Sequence, residues 1–368
     1  MDYFDETYPE DIRDFLNSLL KKALGWARVA STVQIITSCI GCFLNVFHVF
    51  ILFRKELRSH ATNILIIGIA ISDFVYLLYY VDGAAWDWLK SGVPQECIPP
   101  DSLIHQIWTW VLFIFKDALR RVSSWLGVFL ALIRYLVIKF GTKTWIKVLM
   151  KPETSWKLFF STFFFSLVVT MINQGRYTIM EYKKGWKPDE SCAMFPPNTT
   201  YPYFERVQNP ILDNYHLKIS QKFLLIDGFL KITPPIFYPF LAVGLILQLM
   251  KARDGRRILM RKDEEHEMLH ITRLIICMTI AYFLAETPVG ISYFCLSVLI
   301  GDEHGYGLQF LVNYITIILN TFLVIHSSIH CFFCFFLSSE YRKTIGSLFG
   351  CTTSRNGVGS SRNLSTSS

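Results

Sequence analysis

The chain has 368 residues, 52% of them hydrophobic and 18% charged, with a formal net charge of +7. Soluble domains carry roughly 45–50% apolar and about 25% charged residues, so this composition excludes disordered, collagenous and coiled-coil chains and nucleic-acid-binding domains. Apolar runs long enough to cross a bilayer, about 20 residues, recur seven times, and the chain reads as an all-α membrane protein, a seven-transmembrane helix bundle.

In chain order, residues 1–31 form an acidic N-terminal tail without a cleavage-type apolar stretch, so the first span is expected to serve as its own signal. Spans are expected at 32–53, 61–81, 104–138, 156–174, 222–250, 270–300 and 309–336, within a bundle covering 32–337. The third is too long for one crossing, so its ends project into water. Neither 61–81 nor 271–300 shows the dyad alternation of a barrel strand, which leaves helices. Turn residues mark the breaks: Ser91-Gly92-Val93-Pro94, Pro99-Pro100, Pro196-Pro197 and Gly301-Asp302. A short amphipathic helix is expected over 338–350, and the Ser/Gly/Asn-rich residues 351–368 read as a disordered cytoplasmic tail.

Orientation follows from Lys and Arg in alternate loops. One side holds 19 basic and 8 acidic residues, the other 12 basic and 17 acidic, including Asp2, Asp5, Glu6, Glu10, Asp11 and Asp14. The basic side should be cytoplasmic, with the N-terminus outside in a plasma-membrane protein. The net positive charge is thus a topology signal and implies no nucleic-acid partner. Asn198-Thr199-Thr200 falls in the long second outer loop, where Asn198 is a glycosylation candidate.

The nine cysteines fall in different settings. Cys39 and Cys42 form a CxxC inside an apolar run and, with Cys277, Cys295, Cys331 and Cys334, read as apolar filler. Cys97 and Cys192 alone occupy outer loops, where the compartment is oxidising; a bridge between them would tie the top of the third helix to the second outer loop. Cys351, just past the amphipathic stretch, suits palmitoylation or is an idle surface thiol.

Ionisable residues at bilayer depth cost about 2.5–3.5 kcal/mol each on insertion scales and mark candidate sites. Lys116, Asp117, Arg120 and Arg121 cluster in the outer part of the third span, with Arg134 ~21 Å below Arg120 at the cytoplasmic edge. Asp227 and Lys231 are four apart in the fifth span, Glu286 stands two before Pro288 in the sixth, and Asp73 lies mid-span in the second. The cluster of Lys116, Asp117, Arg120, Arg121, Asp227, Lys231 and Glu286 holds four bases and three acids. Two readings compete: a pocket, cationic on balance, for a ligand with an anionic or amide-rich group, and a salt-bridge network that ties the helices without touching a ligand.

The order of these features resembles a rhodopsin-like G-protein-coupled receptor. Asn45 stands in the first helix as that family's asparagine does; Ala70-Ile71-Ser72-Asp73 resembles its second-helix aspartate motif; Arg134-Tyr135 resembles the end of the Asp-Arg-Tyr motif; Trp86 or Trp88 resembles the first-outer-loop tryptophan; and Pro288 resembles the sixth-helix proline. A closer match is to the nematode serpentine receptors of class W, a group similar to FMRFamide-type peptide receptors. It is carried by Asp117 with Arg120-Arg121-Val122-Ser123-Ser124-Trp125-Leu126, by Glu286-Thr287-Pro288-Val289-Gly290, and by His330-Cys331 through Ser338-Ser339-Glu340-Tyr341-Arg342. The sequence departs from the rhodopsin-like pattern at Ile133 (for an acid), at Glu286 (for a tryptophan) and at His330-Cys331-Phe332-Phe333-Cys334 (for Asn-Pro-x-x-Tyr).

The resemblance implies a receptor, not an enzyme, that passes binding of a neuropeptide or a small environmental molecule in the outer bundle to a heterotrimeric G protein. Asn45, Asp73, Arg134, Tyr135, Pro288 and His330 would take signalling roles, with no cofactor beyond a possible sodium ion near Asp73. Arg257, Arg261 and Lys262 would offer a basic inner rim to an acidic G-protein surface or anionic lipid. The rival from another class rests on His326 and His330, four apart on the last span, a spacing that suits zinc. Seven-span zinc hydrolases need a third histidine, for which only His48 is available inside the membrane. A transporter or channel is disfavoured by the absence of internal repeats and by charges confined to the outer half.

Overall fold

At 1.5 Å rise per residue, the 43 residues of α1 (Glu10–Leu52) reach ~65 Å, about twice the hydrocarbon thickness. The computed structural model describes every residue except 1–3, 5–7, 142, 193, 197–198, 257–261, 302–304 and 349–368, and describes no side chains at 213, 249, 252–256, 262–275, 278–279, 337 and 339. After α1 come α2 (Lys55–Arg58), α3 (Ala61–Lys90), α4 (Leu103–Phe140), α5 (Thr144–Leu149), α6 (Pro152–Gln174), strands β1 (Tyr177–Trp186) and β2 (Tyr201–Gln208), α7 (His216–Arg256), α8 (Lys262–Leu299), α9 (Tyr306–Leu337) and α10 (Ser339–Leu348). Among the described residues, seven helices are long and apolar enough to span a membrane: α1, α3, α4, α6, α7, α8 and α9.

The seven spans fall where expected, but α1 begins 22 residues ahead of its predicted start, within the presumed tail. Its buried positions Leu20, Ala23, Ala27, Ala30, Gln34, Ser38, Gly41, Asn45 and His48 recur every three or four residues and lie along α9. Small side chains in that stripe let the two backbones approach. Near the N-terminal end of α1, Phe4, Leu20 and Ala23 pack with Leu311 of α9. Lys21 and Lys22 interrupt the apolar run without breaking the helical period, so hydropathy alone places the start too late. Glu10 and Asp11 in the first turn favour the positive helix end.

α4 is the axial helix, packed against α3, α6 and α7. Seven consecutive residues, Ala118 to Ser124, are buried, so α4 is enclosed on all sides there and its two arginines must be satisfied by protein. A Cβ at Gly127 would overlap the Tyr238 hydroxyl, which donates to the Ser124 carbonyl at 2.7 Å, so that close contact between α4 and α7 requires glycine. α7 holds Pro234, Pro235 and Pro239, and α8 holds Pro288. Each proline removes one backbone bond, which favours a bend at that point.

The connection between α6 and α7, read from sequence only as a long outer loop, is an antiparallel hairpin with Tyr177 opposite Gln208 and Tyr182 opposite Tyr203. Tyr182 and Tyr203 stack with ring centroids 4.9 Å apart, a cross-strand aromatic pair. Gly185, at φ +61° near the end of β1 where the register shifts, takes a left-handed conformation that a side chain would resist. The Cys97–Cys192 disulfide pins this loop above α4, with Cα atoms 5.4 Å apart. Beside it, Asp101 accepts hydrogen bonds from Trp86 Nε1 (2.9 Å) and Lys90 Nζ (2.8 Å). Trp86 and Trp88 both lie in the last turns of α3 rather than in a loop; Trp86 stacks on His105, whereas Trp88 is exposed.

Candidate ligand-binding site

The 116–121 segment of α4 presents its charges to two neighbourhoods. On one side, Arg121 Nη1 bridges Asp117 Oδ2 (2.9 Å) and Asp227 Oδ1 (2.5 Å), while Nη2 donates to the Ser166 carbonyl (3.1 Å) and to Thr170. Lys231 Nζ lies 2.5 Å from Asp227 and 3.6 Å from Asp117, and 3.7 Å over the Tyr293 ring. Two cations and two carboxylates thereby close on one another and lock α4 to α6 and α7. On the other side, Arg120 Nη1 donates to Ser327 Oγ (3.0 Å) and lies 3.8 Å from Asp73, while Nη2 pairs with Glu286. That cluster joins α3, α4, α8 and α9.

Lys116 differs from the other cations. Among the described residues no carboxylate lies within ion-pair distance of it; its ammonium sits 4.0 Å from the Tyr79 ring centroid and 5.2 and 5.4 Å from those of Tyr80 and Phe113. Two cavities meet at this residue. An outer vestibule of about 590 Å³, within the range of small-ligand sites, lies between α1, α3, α4, α9 and β2; its polar lining includes Gln34, Asp82, Asp87, Glu205 and Arg206. A deeper cavity of about 50 Å³ is lined by Asp117, Arg120, Lys231 and Tyr293 among others. Tyr80, Phe113, Lys116 and Asn320 border both.

Of the seven residues expected to contact a ligand, Lys116 borders the vestibule, and Asp117, Arg120 and Lys231 join it at the deeper cavity. Arg121, Asp227 and Glu286 border neither of these two cavities and are buried in the ion pairs above, which join the helices. The count of four bases against three acids also changes, because Asp73 reaches the Arg120 cluster. The vestibule residues Tyr79, Tyr80, Asp82, Asp87, Arg206 and Asn320 were missed by the sequence reading. Tyr80, Ala84 and Asp87 follow helical spacing on one face of α3, a signal masked because aromatic and acidic residues near a helix end also suit a bilayer interface.

Below the cavities the signalling candidates sit in a buried polar column. Asp73 Oδ1 accepts from Ser123 (3.0 Å) and Ser327 (3.1 Å), and Asp73 Oδ2 lies 3.7 Å from His330 Nδ1. Asn45 Nδ2 donates to the Ser327 carbonyl at 3.0 Å. His48 and His330 meet edge to face, and His48 Nδ1 hydrogen-bonds the Tyr341 hydroxyl (2.7 Å), which carries the column into α10. At the far end of α4 from the cavities, Arg134 Nη2 donates to Thr62 Oγ1 at 2.9 Å, linking α4 to the start of α3; Lys139 Nζ donates to the Tyr135 hydroxyl at 3.0 Å. Pro288 lies two residues past Glu286 on α8.

The residues around Asp73 do not fit a sodium ion, because the Arg120 guanidinium already supplies positive charge 3.8 Å from the carboxylate and would repel a second cation. His326 and His330 stack with centroids 6.3 Å apart, and no group of three His, Cys, Asp or Glu side chains suited to a metal occurs among the described residues. His326 instead packs on Tyr282. Asn198, Cys351, Arg257 and Arg261 lie outside the described residues, as does the side chain of Lys262.

Seven spanning helices, a disulfide-pinned hairpin over the bundle and a charged cavity beneath it describe a multi-pass membrane protein. Comparison with known proteins agrees. The chain is 22% identical over 276 residues to a galanin-like G-protein coupled receptor, npr-9, of Caenorhabditis elegans, an alignment covering 72% of this chain and 60% of that receptor's length. The profile of the serpentine-type seven-transmembrane G-protein-coupled chemoreceptors, class Srw, matches residues 32–352. The chain therefore belongs to the Srw family of G-protein-coupled receptors, which are not enzymes.

Proposed function

We propose that the protein is a plasma-membrane receptor, N-terminus outside, that binds a short peptide in the outer vestibule and activates a heterotrimeric G protein at its basic inner face. The observation that carries this reading is the Arg120 cluster. Arg120 lines the deeper cavity and at the same time pairs with Glu286, two residues from the Pro288 bend of α8. A ligand that alters how Arg120 is shared among Glu286, Asp73 and Ser327 would bias the position of α8 through its differential affinity for the two arrangements. The inner end of α8 would then swing while Arg134 exchanges Thr62 for the transducer. Kinship with a peptide-type receptor and the charged, open vestibule favour a peptide; the chemoreceptor description of the family favours a small environmental molecule as the second reading.

The test is a calcium or cAMP readout in cells co-expressing a promiscuous G protein, challenged with amidated and free-acid peptides and with small organic acids. A saturable peptide response that is lost in Arg120→Ala and Arg134→Ala but kept in His326→Ala is the expected result. Undiminished signalling by Arg134→Ala at normal surface expression would remove that residue from the mechanism.

A further inference from the structure

The vestibule is electrically divided, and this division specifies the ligand more closely than its volume does. We infer that the protein binds a short, basic peptide by its free C-terminal carboxylate, which sits on Lys116, with a cationic group of the peptide held above by Asp82 and Asp87. The inference rests on the receptor reading and names the chemistry of its ligand.

The lower end is cationic. Lys116 stands at the neck between the cavities with three aromatic rings, Tyr79, Tyr80 and Phe113, around its ammonium. Every other cation of the cluster has a carboxylate within 4 Å, whereas among the described residues Lys116 has none. Ring faces stabilise a cation but leave its N–H donors able to bind an anion, and a carboxylate would form a charge-assisted bond there. Asn320, bordering the same neck, adds an amide.

The upper end is acidic. Asp82, Asp87 and Glu205 line the vestibule against Arg206, whose guanidinium lies 5.7 and 5.4 Å from the Phe113 and Tyr177 ring centroids. Trp108 Nε1 donates to one oxygen of Asp82 (2.9 Å) and Tyr203 donates to Glu205 (3.2 Å), so both carboxylates are held in place. From Tyr79, beneath Lys116, the rise along α3 is ~4.5 Å to Asp82 and ~12 Å to Asp87. An extended peptide covers about 3.3–3.6 Å per residue, so a basic side chain one to three residues before the terminal carboxylate reaches the acids. Gly83 and Ala84 form the wall between the two ends, and a Cβ at Gly83 would meet nothing within 4 Å, which leaves that wall open to peptide side chains.

The experiment uses the full chain in lipid nanodiscs with positional-scanning mixtures of tetrapeptides, made once as free acids and once amidated, and reads thermal stabilisation. Free-acid mixtures with Arg or Lys one to three positions before the C-terminus should stabilise the protein, and their amidated counterparts should be at least about ten-fold weaker. Lys116→Gln should weaken the acids ~10–100-fold, the loss of one charge-assisted bond, whereas Lys116→Arg, which keeps the cation, should retain most of the affinity. Asp87→Asn should weaken mixtures carrying Arg or Lys and spare neutral ones.

Equal potency of the amidated mixtures, indifference to Lys116→Gln, or no stabilisation by any mixture would overturn the inference, since the acids include every short basic sequence. Guanine-nucleotide exchange on added G protein separates the two levels. Exchange driven by amidated peptides or small organic acids regardless of Lys116 would sink the carboxylate anchor and leave the receptor standing. Binding of the acids as expected without any exchange would do the reverse.

Discussion

Glu286 offers the sharpest test of how the bundle is held. Its carboxylate is 1% exposed and pairs with Arg120, itself 4% exposed. Glu286→Leu removes the carboxylate and leaves a buried guanidinium. Breaking one side of a buried pair costs about 3–5 kcal/mol, but Arg120 keeps Ser327 Oγ at 3.0 Å and Asp73 at 3.8 Å. These residual partners reduce the expected loss below that range, to about 2–3 kcal/mol. Arg120→Leu deprives both Glu286 and Asp73 of their cation and should cost at least as much. In the double variant no orphaned Arg–Glu charge remains, and Asp73 retains the Ser123 and Ser327 hydroxyls. The double variant should therefore be more stable than the sum of the singles by about 2 kcal/mol or more. The assay is reversible unfolding of the purified chain in mixed micelles with a denaturing detergent, followed by tryptophan fluorescence. Losses additive to within about 0.5 kcal/mol would mean the pair is not energetically coupled, and the proposed link from cavity to α8 would fail with it.

Three further outcomes follow from the geometry. Thr62→Val removes the hydroxyl that accepts from Arg134 at 2.9 Å and should raise ligand-independent nucleotide exchange; unchanged basal exchange would argue that this bond does not restrain the inner face. Cys97→Ser frees the hairpin from α4 and should cost about 2–4 kcal/mol, with lowered surface expression and weakened peptide binding; wild-type affinity would show that the hairpin keeps its place without the disulfide. At Asp101, partial burial pushes the carboxyl up, but hydrogen bonds from Lys90 and Trp86 outweigh it and hold the group below the ordinary aspartate value. A carboxyl depressed on folding contributes stability above its unfolded pKa of about 3.9 and loses it as pH falls through the folded value. Asp101→Asn should thus be less stable than wild type at pH 7, with the gap closing in acid; a constant gap would contradict the assignment.

Seven apolar runs were enough to read the architecture, because a chain in lipid must satisfy its backbone within each span and has few solutions. Cys97 and Cys192 were legible as a pair for a similar reason: few cysteines had the right compartment. Sequence alone identified the intramembrane charges but not their partners. Arg120 and Arg121 are adjacent in the chain, yet the 100° turn between them sends one to Glu286 and Asp73 and the other to Asp227 and Thr170. The residues that line the vestibule come from α1, α3, α4, α9 and β2, and their convergence depends on how the helices pack and where the hairpin lies. Lys116 is distinguished only in three dimensions. In sequence it is one of four cations; in the fold it is the one without a described carboxylate at ion-pair distance, while Asp117 and Asp227 pair with Arg121 and Lys231.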